Sequence, residues 1–234
     1  MMAEPRFPHG WRAPCALHRF GSLAQASAAL AAFVVTELEG AIAARGEASL
    51  ALPGGASPRE LLRLLDYRSL DWRHVHLTLT DERWVAPDHE RSNAGQVERL
   101  MPRVVRSAHW FPLWRPGLSP GAGIDLIEAQ SAALPWPLDL IVLGMGEDGH
   151  VASLFPGDPS GYAAQDRRFV AVTGPGGEPR VSLTAGSIAA ARKVCLLVGG
   201  RRKLDVLASA GAGDLPAWRV LQSLGDRASV FSGD

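Results

Sequence analysis

The chain has 234 residues, 47% hydrophobic and 21% charged, with 24 Lys and Arg set against 24 Asp and Glu. A chain of that length can bury a core without metal or disulfide support, and its balanced charge lacks the basic excess of a nucleic-acid or anionic-membrane binder. Cys15 and Cys195 lie far apart with no C-x-x-C or Cys/His spacing, which argues against a disulfide framework or a zinc site and fits a reducing compartment.

Residues 1–16 read as an irregular segment; "MMAEPRFPHGWRAP" has no apolar core, so no secretory signal is expected. "ASAALAAFVVTELEGAIAA" is broken by Thr36, Glu37 and Glu39 and predicts an amphipathic helix rather than a membrane span. A soluble, cytoplasmic protein is expected. "ASLALP" (48–53) predicts a strand, followed by a Gly-rich turn and the helical spacing of "PRELLRLLDY", with Pro58 in the first turn. "HVHLTLT" (74–80) alternates as a strand does and runs into a charged loop, "DERWVAPDHERSN". "NAGQVERLM" and "GIDLIEAQSAAL" predict helices, and the apolar run "LDLIVLG" (138–144) a central parallel strand. "RFVAVTG", "KVCLLVGG" and "RASVFSG" predict further strands, with short helices at "AGSIAAA" and "RRKLDVLAS". "LWRPGLSPGAG" (113–123) and "TGPGGEPR" (173–180) read as loops. The alternation implies one α/β domain over 1–234, a three-layer α/β/α sandwich around a mostly parallel sheet. Ligands of such sheets bind beyond the carboxyl ends of the strands, so the loops after 53, 80 and 144 are expected to converge.

"GMGEDG" (144–149) satisfies G-x-G-x-x-G directly after a predicted strand. A dinucleotide site would need a long helix next and an acid about 20 positions on. Here only "HVASLF" precedes Pro156 and Gly157, and "RFVAVTG" ends without an acid. The loop offers Glu147, Asp148 and His150 instead. His150, just past a glycine at a strand's carboxyl edge, could meet a ligand and take a proton, or simply cap the turn. Gly54, Gly55, Ala56 and Ser57 open a helix, where free N–H groups suit an anion and Ser57 could cap the helix or bind the anion. A plain turn is the alternative. Asp81 and Arg83 follow the next strand and read either as substrate contacts or as an ion pair with each other. His74 and His76 share one face of a strand, but with no third ligand evident they predict no metal site.

Five segments, "GGASP", "TDERWVAPDHERSN", "GMGEDGHVASLFPG", "RVSLT" and "VGGRRKLDVL", occur in the order found in 6-phosphogluconolactonases. From about residue 17 onward the chain resembles that family, and the long His150 segment is the most specific piece. The resemblance implies a Rossmann-like fold shared with sugar-phosphate isomerases. It also implies hydrolysis of 6-phospho-D-glucono-1,5-lactone in the oxidative pentose phosphate pathway, with no metal and no organic cofactor. It implies a phosphate loop at Gly54, Gly55 and Ser57 with Arg180 and Lys203 as phosphate partners. Asp81, Arg83 and Asn93 would then line the substrate and His150 would be the general base. Ala56 departs from the family's usual Gly-Gly-Ser-Thr-Pro, removing a hydroxyl but not the backbone donors.

A lactone is an activated ester, and neither a G-x-S-x-G elbow nor an HExxH helix is present, so direct attack by water is the expected route. Arg83 is typed to steady oxyanion charge; Asp148 could orient the imidazole or only cap the loop. The expected partner is a small sugar-phosphate lactone, with no nucleic acid and no membrane, and the protein a monomer or weak homodimer. Two other readings are a glucosamine-6-phosphate deaminase and a non-catalytic sugar-phosphate-binding module. "VASLFPG" after His150 resembles the lactonases rather than the deaminases' "IAFNEP".

Overall fold

The unbroken apolar runs of the sequence become the middle of a parallel sheet. In a computed structural model, residues 15–164, 166–209 and 215–234 are described. β2 (Ala48–Leu52) is buried throughout and β6 (Leu140–Gly144) in all but its last residue. Both have strands on either side, which explains why they lack alternation. With β1 (Ala16–Phe20), β3 (Val75–Leu79), β5 (His109–Phe111), β9 (Lys193–Gly199) and β10 (Ala228–Gly233) they form one sheet, ordered β1-β10-β9-β6-β2-β3-β5. Every pairing in it is parallel. After β2 the chain moves outward through β3 and β5; after β6 it moves the other way through β9 and β10. The strand order therefore reverses between β2 and β6, and a crevice opens beyond their carboxyl ends.

Helices flank the sheet. The predicted amphipathic segment is α1 (Leu23–Arg45), started by Ser22, whose side chain accepts from Gln25 N–H, and stopped by Gly46 in a left-handed conformation. By length and composition α1 could cross a membrane. It lies instead against β1, β2, β9 and β10, with Leu30, Val34 and Leu38 fully buried; each such side chain contributes about 1.5–3 kcal/mol. α2 (Arg59–Asp66), α3 (Asn93–Leu100), α5 (Pro120–Ser131), α7 (Ala185–Ala190) and α8 (Arg201–Ser209) match predicted helices to within a few residues. Pro58 is the residue that precedes α2 rather than one inside it.

Several expectations are corrected. The charged loop begins as a strand, β4 (Asp81–Arg83), and the "TGPGGEPR" loop is the hairpin between β7 (Phe169–Gly174) and β8 (Glu178–Leu183). These three strands form a second, antiparallel sheet, ordered β4-β8-β7. "HVASLF" is not helical: Val151 bridges both Met145 and Leu154. α5 starts inside the predicted 113–123 loop. α4 (Pro102–Ser107), α6 (Ser160–Ala163) and α9 (Pro216–Leu224) add helices where none was expected, as β1 and β5 add strands. Of the expected irregular segment, Ala16 already belongs to β1, and residues 1–14 lie outside the described part. His74 falls in a short 3-10 turn before β3, while His76 faces Glu47 at 3.0 Å and stacks on His109.

Candidate active site

One cleft at the β2/β6 crevice is lined by Gly54, Gly55, Ala56, Ser57, Asp81, Arg83, Asn93, His150, Arg180 and Lys203. Every predicted site residue is thus in one place except Asp148, which reaches the cleft through His150. The residues come from both sheets: the 54–57 loop and the 144–150 loop extend β2 and β6, whereas Asp81, Arg83 and Arg180 sit on β4 and β8. The bond from Leu183 N–H to Thr80 O (2.8 Å) joins β8 to the end of the main sheet and so brings Arg180 over the crevice.

The G-x-G-x-x-G loop is shaped around the imidazole. Gly149, at φ +82, makes the turn. At Gly146 a Cβ would lie 2.2 Å from His150 Cε1 and Nδ1, so only glycine leaves room for the ring. Asp148 is placed to cap the loop and to meet the imidazole. Its Oδ1 accepts the His150 backbone N–H at 3.2 Å and lies 2.6 Å from the ring Nδ1. Partial burial alone would raise the Asp148 carboxyl, but the His150 N–H and the charge and hydrogen bond of its ring outweigh that and hold it below the ordinary carboxylate value. The tie leaves Nε2 as the ring nitrogen available to a ligand. Phe155 packs beside the ring at 4.9 Å.

Asp81 is not paired with Arg83. Its Oδ2 accepts a 2.6 Å bond from Ser153 Oγ and lies 3.8 Å from Arg180 Nη1. Arg180 in turn donates to Glu178 at 2.8 Å, and Glu178 also pairs with Arg91 on the β4–α3 loop. The guanidinium expected to contact phosphate is therefore held between two carboxylates. Arg83 Nη1 donates to Arg91 O at 2.7 Å, and burial pulls its basicity below the ordinary value. Buried Arg83 Nε, Arg180 Nε and Asn93 Oδ1 have no hydrogen-bond partner among the described residues. A cleft lined by three cationic side chains and one carboxylate suits an anion.

Other supporting residues escaped the sequence reading. Glu82, fully buried, accepts from the N–H groups of Arg83, Asn93 and Ala94 at 2.7–2.8 Å and from Ser92 Oγ at 3.1 Å. Burial pushes its carboxyl up to about 7 against those bonds, which favour the charged form. It ties β4 to the start of α3 and so holds Arg83 and Asn93 together. Gln96 on α3 bonds the peptide of Gly55. The capping role considered for Ser57 is absent: Pro58 occupies the cap position of α2 and no side chain caps it. Among the described residues no group of three or more His, Cys, Asp or Glu side chains is placed to hold a metal ion.

Fold and cleft together define the class: an open parallel α/β sheet with a crevice lined by cationic side chains at its switch point and a carboxylate-held histidine inside it. Residues 21–228 match the glucosamine-6-phosphate isomerases/6-phosphogluconolactonase family, and the chain belongs to that family. The 6-phosphogluconolactonase of Rhizobium meliloti (strain 1021) is 40% identical over 202 residues, covering 84% of this chain and 87% of that protein. That of Pseudomonas aeruginosa is 37% identical over 215 residues, 89% of each. The crystal structure of a 6-phosphogluconolactonase from Shewanella baltica OS155 matches with a TM-score of 0.86 at 32% identity, over 94% of this chain and 98% of that one.

Proposed function

We propose that this enzyme hydrolyses 6-phospho-D-glucono-1,5-lactone to 6-phospho-D-gluconate. The observation that carries the reading is a single one: the Asp148-held imidazole of His150 shares one cleft with Arg83, Arg180, Lys203 and the 54–57 loop. A phosphate ester carries ~1.5–2 negative charges at neutral pH. Arg180, Lys203, Ser57 and the N–H groups at the start of α2 are the groups suited to hold it. With the phosphate anchored there, the lactone end faces the 144–150 loop.

Nε2 of His150 takes a proton from a water as its oxygen bonds to the lactone C1. Negative charge then develops on the carbonyl oxygen, where Arg83 is the donor suited to steady it. As the tetrahedral intermediate collapses, the bond from C1 to the ring oxygen breaks and the imidazolium returns its proton to that oxygen. Asp148 keeps the ring in the tautomer this requires. General acid–base help of this kind supplies ~10²–10⁴ in rate. Asp81 and Asn93 line the sugar. The reading carries with it a cytoplasmic enzyme, monomeric or a weak homodimer, that acts on a small molecule without a cofactor.

The test is acid release from freshly prepared lactone in a pH-stat, corrected for spontaneous hydrolysis, beside ammonia release from glucosamine 6-phosphate. Acid without ammonia is expected. Ammonia release, or neither product, overturns the proposal. The unphosphorylated lactone should be a poorer substrate by several orders of magnitude, since charge-assisted bonds contribute about 1.5–3 kcal/mol each. Comparable kcat/KM on the two lactones removes the phosphate assignment.

A further inference from the structure

The 54–57 loop has a support that the hydrolysis itself does not call for. Gln96 is 8% exposed and lies one helical turn after Asn93 on α3, so the two amides project from one face of that helix. Asn93 lines the cleft. Gln96 reaches the loop beside it: Nε2 donates to Gly55 O at 2.7 Å and Oε1 accepts from Gly55 N–H at 3.3 Å. Both polar groups of Gly55 are thereby engaged by one side chain, as a neighbouring strand would engage them.

That pairing changes which atoms can meet an anion. The N–H of Gly55, a natural candidate, is committed to Gln96. The N–H groups of Ala56 and Ser57 make no hydrogen bond among the described residues, and they lie in the turn just ahead of α2. Gly55 itself adopts φ +96, in a region that glycine enters freely and leaves freely. Left alone, such a peptide samples several orientations, and a ligand would have to order it on binding. Ala56 offers no hydroxyl with which to compensate.

We infer that Gln96 is a positioning residue for phosphate recognition, holding the Gly55 peptide so that the Ala56 and Ser57 N–H groups already face the anion. This rests on the 54–57 loop being the phosphate site. Gln96 touches neither the phosphate nor the reacting carbon. Its effect is confined to substrates that carry the phosphate.

Gln96→Met keeps the length and removes both bonds; Gln96→Glu keeps the acceptor for Gly55 N–H and loses the donor. For the uncharged replacements, kcat and KM are measured on the phosphorylated and unphosphorylated lactones, with inorganic phosphate as a competitive inhibitor. With Gln96→Met, kcat/KM on the phosphorylated lactone is expected to fall about tenfold, mostly in KM, and the phosphate inhibition constant to rise about as much. On the unphosphorylated lactone kcat/KM should hold within about twofold. Gln96→Glu also places a negative charge beside the loop, so it is read by hydrogen exchange; Gln96→Leu, which removes both bonds and adds no charge, should show the same selectivity and serves alone if the Met variant does not fold. Amide hydrogen exchange at residues 54–57 should quicken in each variant. Equal losses on both lactones, or no loss on either, overturn the inference. A wild-type enzyme that does not discriminate between the lactones and is not inhibited by phosphate overturns the phosphate reading itself, a result separate from any behaviour of the variants.

Discussion

Replacing Gly146 with Ala is a direct test of whether the loop exists to present His150. Gly146 does not occupy the left-handed region, so its backbone accepts an alanine. The added Cβ would stand 2.2 Å from His150 Cε1 and Nδ1 and 2.6 Å from Asp148 Oδ1, where ordinary contact begins near 3.4 Å. Both side chains must therefore retreat by roughly 1 Å, which breaks the tie between them; a displacement of that size at a reacting group costs ~10²-fold in rate. The clash lies at the open mouth of the cleft and is relieved by side chains, so global stability should change little. The added methyl meets His150 and Asp148 rather than the residues proposed to hold the phosphate, so KM should stay within about threefold while kcat falls ~10²-fold. Initial rates in a pH-stat give both constants, and a thermal melt confirms the fold. If Gly146→Ala keeps more than about a third of wild-type kcat, the imidazole geometry is not what the loop protects.

Other outcomes follow from the same geometry. His150→Asn should lower kcat ~10²–10⁴-fold with little change in KM; retention of about a tenth of the activity would exclude His150 as the base. Prolonged chelation and gel filtration should leave activity intact, and activity that zinc or magnesium restores would refute a metal-independent route. Glu82 bears on stability: its folded-state value of about 7 lies above its ordinary 4.5, so its contribution is fully present below the lower value and is lost as pH rises through the higher one. Denaturant titrations at about pH 5 and about pH 8 should show the wild type losing up to about 3 kcal/mol relative to Glu82→Gln, and parallel curves for the two proteins would contradict this. Gly40, on α1 with nothing within 4 Å of an added Cβ, should accept alanine with a gain of about 0.5–1 kcal/mol, read as a melting temperature a few degrees higher.

What could be read from the chain, and what could not, divides along physical lines. β2, β6 and β9 announce themselves because a strand buried on both faces must be apolar at every position. β1 was hidden: "ALHRF" is short and places Arg19 on an edge strand, where one side meets water. β4 and the first half of β8 carry no strand signal in sequence, because their residues are the polar ones that form the cleft and Pro179 contradicts an ordinary strand pattern. α4 and α9 carry a proline in the first turn, a start signal that was present and went unused. In the cleft, His150 and Arg83 stand out by residue type and position, whereas Arg180 and Lys203 are named only by the resemblance to the family. Their partners were another matter. That Asp81 faces Arg180 rather than its near neighbour Arg83 depends on the antiparallel register of β4 with β8, and no spacing in the sequence encodes it. The bond from Gln96 to Gly55 likewise needs α3 packed beside the loop, although its place one turn from Asn93 was visible.

The sheet order also bears on how the molecule assembles. Among the described residues β1 pairs only with β10, which follows it by most of the sequence, Ala16 opposite Ser229 and Phe20 opposite Gly233, while Leu23 N–H donates to the carbonyl of Asp234. On a ribosome, β1 and the entrance of the long helix behind it wait for β10 to emerge before either has its proper neighbour. Until then the free edge of β9 is exposed to any other extended segment, the hazard common to sheets closed by distant pairings. Removing the last strand would therefore do more than shorten the protein: it would leave one strand orphaned and another open, and the product should aggregate rather than persist as a smaller sheet.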